Sequence, residues 1–354
     1  MNFGKNYYRI ILSLLFFVIP CNGQQKKNSK YTITTDFRVM WYNTENLYDT
    51  FDDPKTDDNE FLPGSQRHWT MKRYKAKIEN IYKVIISNSA QPPFLIGLAE
   101  VENNKVLTDL IQNTPLIKFG YHFIHYDSPD LRGIDVALLY RQDLFKPIKN
   151  FPIRVNFPFD TKRKTRDILY VKGIANNFDT LHIFVNHWPS RRGGENKSVP
   201  YRLYVAKLLK SKTDSVFHSY PESKILIIGD FNDEPDDESI LKGLQAVSYK
   251  GVVEKLKLYD LSYSWLKNIA NSGTSKYKGK WSVIDQIIVS SAFMVKKNKG
   301  LKCLPTSAMI DTSQYLLKDD EVYSGKIPFR TYSGYKYIGG FSDHLPIYLD
   351  LSAK

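Results

Sequence analysis

Two short strings, Gly229-Asp230-Phe231-Asn232 and Ser342-Asp343-His344-Leu345-Pro346, carry the residue types that hydrolytic chemistry needs. Each adjoins a strongly apolar run, Ile225-Leu226-Ile227-Ile228 before the first and Leu345-Pro346-Ile347-Tyr348-Leu349 continuing the second. Such runs read as buried strands, so each string delivers Asp, Asn or His to one rim of a sheet. A carboxylate, an amide and an imidazole converging at strand ends are the parts of a metal-assisted hydrolytic site. Glu100 closes the apolar run 94–99, where a carboxylate costs desolvation unless it meets a cation or another partner. Asp285 interrupts the apolar run 283–289 and needs a partner for the same reason. Asn43 and His187 also end apolar stretches, but in isolation such an Asn reads as a turn cap and such a His as structural.

The elements that must position these residues alternate along the chain. Strands are predicted at 37–43, 94–101, 121–126, 134–141, 168–175, 181–186, 224–229, 281–290 and 345–351. Helices are predicted at 71–88, 103–112, 201–209 and about 236–244, the first marked by Ile78, Ile81, Tyr82 and Ile85 at three- and four-residue spacings. Strands outnumber helices, and several follow one another with no helix between. That pattern suggests an α/β fold of mixed sheets sandwiched by helices rather than a purely parallel doubly wound sheet. The long polar segments 49–70, 190–200 and 309–339 read as loops on the rim of the site.

Residues 1–23 have the form of a secretory leader: Lys5 and Arg9, an apolar core at 10–20, then Cys21-Asn22-Gly23 as small residues for cleavage. Eleven apolar positions fall short of the roughly 20 that span a bilayer. The expectation is export to the periplasm or beyond the cell, with Cys21 admitting lipid attachment as the alternative. After a short segment at 24–36, residues 37–354 contain no linker, repeat or low-complexity block, which favours one catalytic domain, expected as a monomer. Cys303 alone certainly survives cleavage, so an exported chain must be held by its core rather than by a disulfide. At 42% hydrophobic and 14% aromatic residues the core is large enough. The formal charge of +13 falls by two, to +11, with the leader, and favours polyanionic partners such as nucleic acid, anionic membrane surfaces or phosphorylated sugars.

Taken in order, these strings resemble the endonuclease/exonuclease/phosphatase superfamily, and in particular an extracytoplasmic bacterial branch whose members begin with a string like Trp41-Tyr42-Asn43-Thr44-Glu45-Asn46-Leu47-Tyr48. The resemblance runs from about 37 to 351. It implies a four-layer α/β sandwich, two mixed sheets face to face and flanked by helices, with the site at one end. It implies Glu100 as the principal ligand of Mg²⁺ (Mn²⁺ as a substitute), with Glu45 and Asp343 as further carboxylates at the metal and Glu102 as a weaker substitute for Glu100. Glu45 is expected to point the same way as Asn43, two residues back on an extended chain.

The resemblance further implies that Asn43 lies near the metal and the scissile phosphate, that His187 donates to that phosphate, and that Asn232 holds it. Asp230 would orient or deprotonate the attacking water. Asp285 would orient His344, which serves as general base or as a protonated phosphate clamp. Arg191 and Arg192 are candidate phosphate contacts, since guanidinium forks match phosphate oxygens. Acidic residues 233–237 read as helix N-terminal charges. The basic and aromatic stretch 274–281 reads as a loop facing nucleic acid or a lipid headgroup. The expected activity is hydrolysis of nucleic-acid phosphodiesters by an exported nuclease. The alternative is a phosphatase or phospholipase C-like enzyme on a phosphorylated small molecule, an inositol phosphate or a sphingolipid headgroup.

Overall fold

Alternation along single strands places the core. In the computed structural model, Leu226 and Ile228 face one way and Ile225 and Ile227 the other, yet all four are fully buried. A strand buried on both faces must lie in an inner layer. Residue 1 and residues 37–353 are described, except 88, 176–178, 192, 269–271 and 296–299; residue 195 is described for its backbone only. The leader and Cys21 therefore lie outside the described residues, as does Arg192. Residues 34–354 cluster as one compact unit.

The principal elements in chain order are β1 (Phe37–Leu47), α1 (Met71–Ile86), β2 (Leu95–Val101), α2 (Asn104–Gln112), β3 (Tyr121–His125), β4 (Asp135–Arg141), β5 (Phe145–Ile153), β6 (Ile168–Ala175), β7 (Asp179–His187), α3 (Glu195–Ser219), β8 (Lys224–Asp230), β9 (Asp285–Ser290) and β10 (Ile347–Ala353). One seven-stranded sheet has the order Leu301–Lys302, β10, β1, β2, β4, β3, with Ala308–Ile310 also paired to β10. The other runs β5, β6, β7, β8, β9, then Leu258–Asp260 and Ala246–Val247. Val39, Trp41, Leu95 and Leu349 of the first sheet meet Val185, Leu226, Ile228 and Ile287 of the second in the central core. Helices α1 and α2 cover the outer face of the first sheet through Ile78, Ile81, Leu107 and Leu110. Helix α3 covers the second through Val205, Ala206 and Leu209. The result is the expected four-layer α/β sandwich. Gly97 is needed where the sheets meet, since a Cβ there would stand 2.6 Å from Ile228 Cδ1.

Several boundaries differ from the sequence reading. Helix α3 begins at Glu195, within the stretch expected to be loop, and carries Pro200 inside it, where the ring removes one backbone donor. Strand 281–290 is broken: Lys280–Ser282 forms a hairpin with Ser275–Tyr277, and Ile284 accepts from Phe231 N before β9 starts. Strand β5 was hidden by Pro147 and Pro152, which are tolerated because β5 is an edge. The expected helix at 236–244 is only the short π-helical turn Ser239–Leu244. The segment 309–339 is not bare loop; it contains the hairpins Leu317–Asp319/Lys326–Pro328 and Tyr332–Ser333/Lys336–Tyr337.

Candidate active site

Strand register brings the acid–base residues of the second sheet together. Parallel pairing of β7 and β8 sets His187 opposite Asp230, and antiparallel pairing of β8 and β9 sets Asp230 opposite Asp285. The three side chains therefore form one row across the end of the sheet. His187 Nε2 lies 3.6 Å from Asp230 Oδ2. His344, just before β10 on the first sheet, closes the row from across the sandwich. Its Nδ1 is 2.7 Å from Asp285 Oδ2, and its Nε2 is 3.9 Å from Asp230 Oδ2. Trp41 Nε1–H donates to the other oxygen of Asp285 at 2.7 Å, so the orphan acid of the β9 run has two partners. Asp230, Asp285 and His344 have ligand atoms within 4.8 Å of one another, a spacing a cation could use. Because both oxygens of Asp285 are already committed, we read them as a hydrogen-bonded relay.

The amides are set by the same ends. Asn43 Nδ2–H donates to Asp230 Oδ2 at 3.1 Å, and Asn43 Oδ1 accepts from Glu45 N at 3.0 Å. Asn232 sits in the left-handed region, φ 51°, where its N–H caps Asp230 Oδ1 at 2.9 Å and its amide reaches Trp188 O at 3.1 Å. Ser342 ties two contributions of the first sheet together: its hydroxyl donates to Asn43 O at 2.7 Å and accepts from His344 N at 3.1 Å.

The carboxylates of the first sheet are arranged less simply. The β1–β2 register slips between Asn43 and Leu47, placing Thr44, Glu45 and Asn46 against Glu100 alone. Glu45, Asn46 and Glu100 all have positive φ, 52°, 57° and 60°, a conformation that costs non-glycine residues energy and clusters at functional sites. Asn46 N donates to Glu100 Oε2 at 2.8 Å, while Glu100 Oε1 faces His187 Nε2 at 4.0 Å. The chain at Glu45 is thus not extended, and this corrects the expectation that Glu45 follows Asn43. Its carboxylate turns instead to Thr331 N at 2.6 Å and to Lys77 Nζ at 3.8 Å. Asp343 is half-buried. Glu102, the substitute, is buried against Asp49 N and serves that loop.

Lys77 is a residue the sequence reading passed over. It is 1% exposed on α1, and its ammonium donates to Thr331 Oγ1 and Phe341 O, each at 2.6 Å. In sequence its one signal is its place beside Ile78 and four residues before Ile81, on the apolar stripe of α1. Arg166 was missed as well. It is buried, bonded to Asp130 at 3.0 Å and to Trp188 O at 2.5 Å. Arg191 donates to Asn232 O at 2.7 Å and to Asp237 at 3.0 Å, and so holds the Asn232 turn. Asp233 pairs with Arg202 at 2.7 Å rather than capping a helix.

Burial drives the electrostatics. It lowers the His187 imidazole well below its ordinary value, with the charges of Arg166, Arg132 and His344 acting the same way, so His187 is neutral. Burial also opposes the charged form of His344, but the charge and hydrogen bond of Asp285, then Asp230 and Asp343, raise it well above the ordinary value. Asp230 is pushed up to about 7 by burial, with His344 opposing and Asp285 reinforcing. Glu45 is likewise pushed up to about 7 by burial and by the charge of Asp343, with Lys77 opposing. Glu100 Oε2 accepts from Asn46 N while Glu100 Oε1 accepts no hydrogen bond among the described residues, and a free carboxylate oxygen of this kind suits a divalent cation. The arrangement combines a protonated imidazole, a neutral imidazole, an oriented carboxylate and two amides around one point.

A model of the Endonuclease/Exonuclease/phosphatase family matches residues 38–353. No curated protein matches the chain. Among solved structures, the chain is similar to D. rerio TDP2 humanized by 14 mutations, at 14% identity and a TM-score of 0.53, covering 90% of this chain and 99% of that one. It is similar to an endonuclease/exonuclease/phosphatase family protein from Bacteroides thetaiotaomicron at 17% identity and a TM-score of 0.52, covering 90% and 98%. It is also similar to a mannosyl-6-phosphatase of Bacteroides thetaiotaomicron at 16% identity and a TM-score of 0.50, covering 89% and 99%. At these identities the likeness establishes the fold.

Proposed function

The chain belongs to the endonuclease/exonuclease/phosphatase family of metal-dependent phosphoesterases, and from that premise we propose that it is an exported nuclease that hydrolyses phosphodiesters with Mg²⁺ or Mn²⁺. The observation that carries the substrate reading is the pairing of Ser275 with His344. It anchors the hairpin Ser275–Tyr277/Lys280–Ser282 to the catalytic row, with Tyr277, 74% exposed, and Lys278 at its turn end. Aromatic rings next to bases of positive charge suit a strand of nucleic acid.

Glu100, with Asp343 and Glu45, would hold the cation, which when bound polarises the phosphate as a Lewis acid. Asp230 orients water and accepts its proton. Protonated His344, held by Asp285, donates to the phosphate, which favours its clamp role over that of general base. Neutral His187, Asn43 and Asn232 add donors where negative charge grows, and donors already in place need no rearrangement in the transition state. Lys77 and Arg166 keep the carboxylates and the Trp188 turn in position. Export rests on the leader at 1–23. N-terminal sequencing of the secreted product tests it, with a start at about residue 24 expected and an intact Met1 contrary.

The test of substrate class is incubation with supercoiled plasmid and single-stranded DNA in Mg²⁺, with an EDTA control. Nicking abolished by EDTA is the expected result. Intact nucleic acid beside hydrolysis of a phosphomonoester would transfer the assignment to the phosphatase reading.

A further inference from the structure

Two hollows adjoin the site and share a wall. One, of about 210 Å³, includes Glu45, Asn46, Arg67, Arg330, Thr331 and Asp343 in its lining. The other, of about 220 Å³, lies between the hairpins at 275–282 and 317–328 and includes Tyr277, Lys278, Lys318, Tyr323 and again Arg330. Arg330 thus stands where the candidate metal end of the site passes into the aromatic hollow. In that hollow Lys276 pairs with Asp320 at 2.9 Å and Lys318 with Glu321 at 3.1 Å, leaving Arg330 and Lys278 as its cations without an acidic partner among the described residues.

The two arginines of the first hollow differ in what they bind. Arg67 is used by the protein: it donates to Glu60 and to Gly334 O, both at 2.9 Å, and lies 5.1 Å from the Phe61 ring and 5.2 Å from the Tyr332 ring. Arg330 is half-buried, and among the described residues its guanidinium makes no hydrogen bond, ion pair or ring contact. A guanidinium without a partner in the protein is free to take a ligand, and its planar fork matches two oxygens of a phosphate.

We propose that Arg330 binds the phosphate next to the scissile one on a nucleic-acid strand, and that the strand leaves the site over Arg330 toward Tyr277 and Tyr323. Tyr277 and Tyr323 are 74% and 44% exposed and line the same hollow as Arg330, where their rings offer successive bases a surface to stack on, with Lys278 Nζ 5.4 Å from the Tyr277 ring. Lys278 is placed to meet the following phosphate. The inference rests on the nuclease reading for the source of the second phosphate, but not for the existence of the anchor.

The experiment compares wild type with Arg330→Gln on three substrates: bis(p-nitrophenyl) phosphate, which has no second phosphate, the dinucleotide TpT, and the same dinucleotide phosphorylated at both ends. Expected is a rate within about twofold on the first two and a loss of about 10- to 100-fold in kcat/KM on the third, the range of one charge-assisted contact. Arg330→Lys should recover part of the loss. On single-stranded DNA the salt dependence should weaken by about 0.7 log units per log of salt, one phosphate's share. Equal losses on all three substrates, or no loss on any, overturn the anchor. Should wild type hydrolyse bis(p-nitrophenyl) phosphate but no nucleotide, the nuclease reading fails separately. Glucose 6-phosphate and glucose 1,6-bisphosphate then replace the dinucleotides. A loss confined to the bisphosphate keeps the anchor with a small-molecule source, and no difference overturns it too.

Discussion

On the second sheet, His187, Asp230 and Asp285 stand opposite one another in three neighbouring strands, and hydrogen-bond register alone brings them into a row. On the first sheet, Glu45, Asn46 and Glu100 follow a slip in register, carry left-handed backbones and depend on distant supports. Lys77 on α1 and Thr331 in the 309–339 segment fix Glu45, and neither is a neighbour of β1 in sequence. The row is a by-product of the fold. The metal end is held by individual long-range contacts, so it should be the more easily disturbed half, and the half where substrates with different flanking groups are told apart.

The largest effect should come from the row. Asp230→Asn keeps the shape and removes the carboxylate, and should lower kcat/KM by about 10²–10⁴-fold with circular dichroism unchanged. Because Asp230 is pushed up to about 7 in the folded protein, the wild-type rate should climb as pH rises through that value, while the residual rate of the variant should not. A variant that unfolds would show that the row is held by Asp230 rather than by register.

Next comes the support of the metal end. Lys77→Met leaves the Glu45 carboxylate buried without its cation and should cost about 3–5 kcal/mol in urea unfolding at pH 8. A cost under 1 kcal/mol would mean that Thr331 and the backbone suffice. A buried acid away from both halves gives a control. Asp260 is pushed up to about 7 by burial, so the folded state binds its proton more tightly than the unfolded chain does. That contribution is present at low pH and is lost as pH rises from about 4 to about 7. Asp260→Asn should therefore stabilise the protein by up to about 4 kcal/mol at pH 8, change little at pH 4, and leave activity alone. The smallest effect is expected where Asn43 meets His344, since Ser342→Ala removes the bonds to both and should cost about 1 kcal/mol.

The same contrast explains what the sequence disclosed. The row was legible in Asp230, which closes a continuous apolar run, and in Asp285, which interrupts one, because a carboxylate there stands out, whereas His187 was placed by the family resemblance. Asn43, Asn232 and His344 were legible through the strings around them. Glu45 was misplaced because a bulge reverses the side on which a residue falls, and nothing in Trp41-Tyr42-Asn43-Thr44-Glu45 marks a left-handed backbone. Lys77 and Arg166 were missed because a buried cation declares itself only through partners far along the chain. Strand β5 was missed because Pro147 and Pro152 break a strand pattern that an edge position forgives. The hairpins at 317–328 and 332–337 are too short for any periodicity to show.

The most direct test of the central claim is steady-state hydrolysis of bis(p-nitrophenyl) phosphate by wild type and His344→Ala across a Mg²⁺ titration, with EDTA as control. The account predicts hydrolysis that requires the metal, is abolished by EDTA, and falls by about 10²–10⁴-fold in the variant while the melting temperature stays within a few degrees. A metal-independent rate, or equal rates for the two proteins, would contradict it.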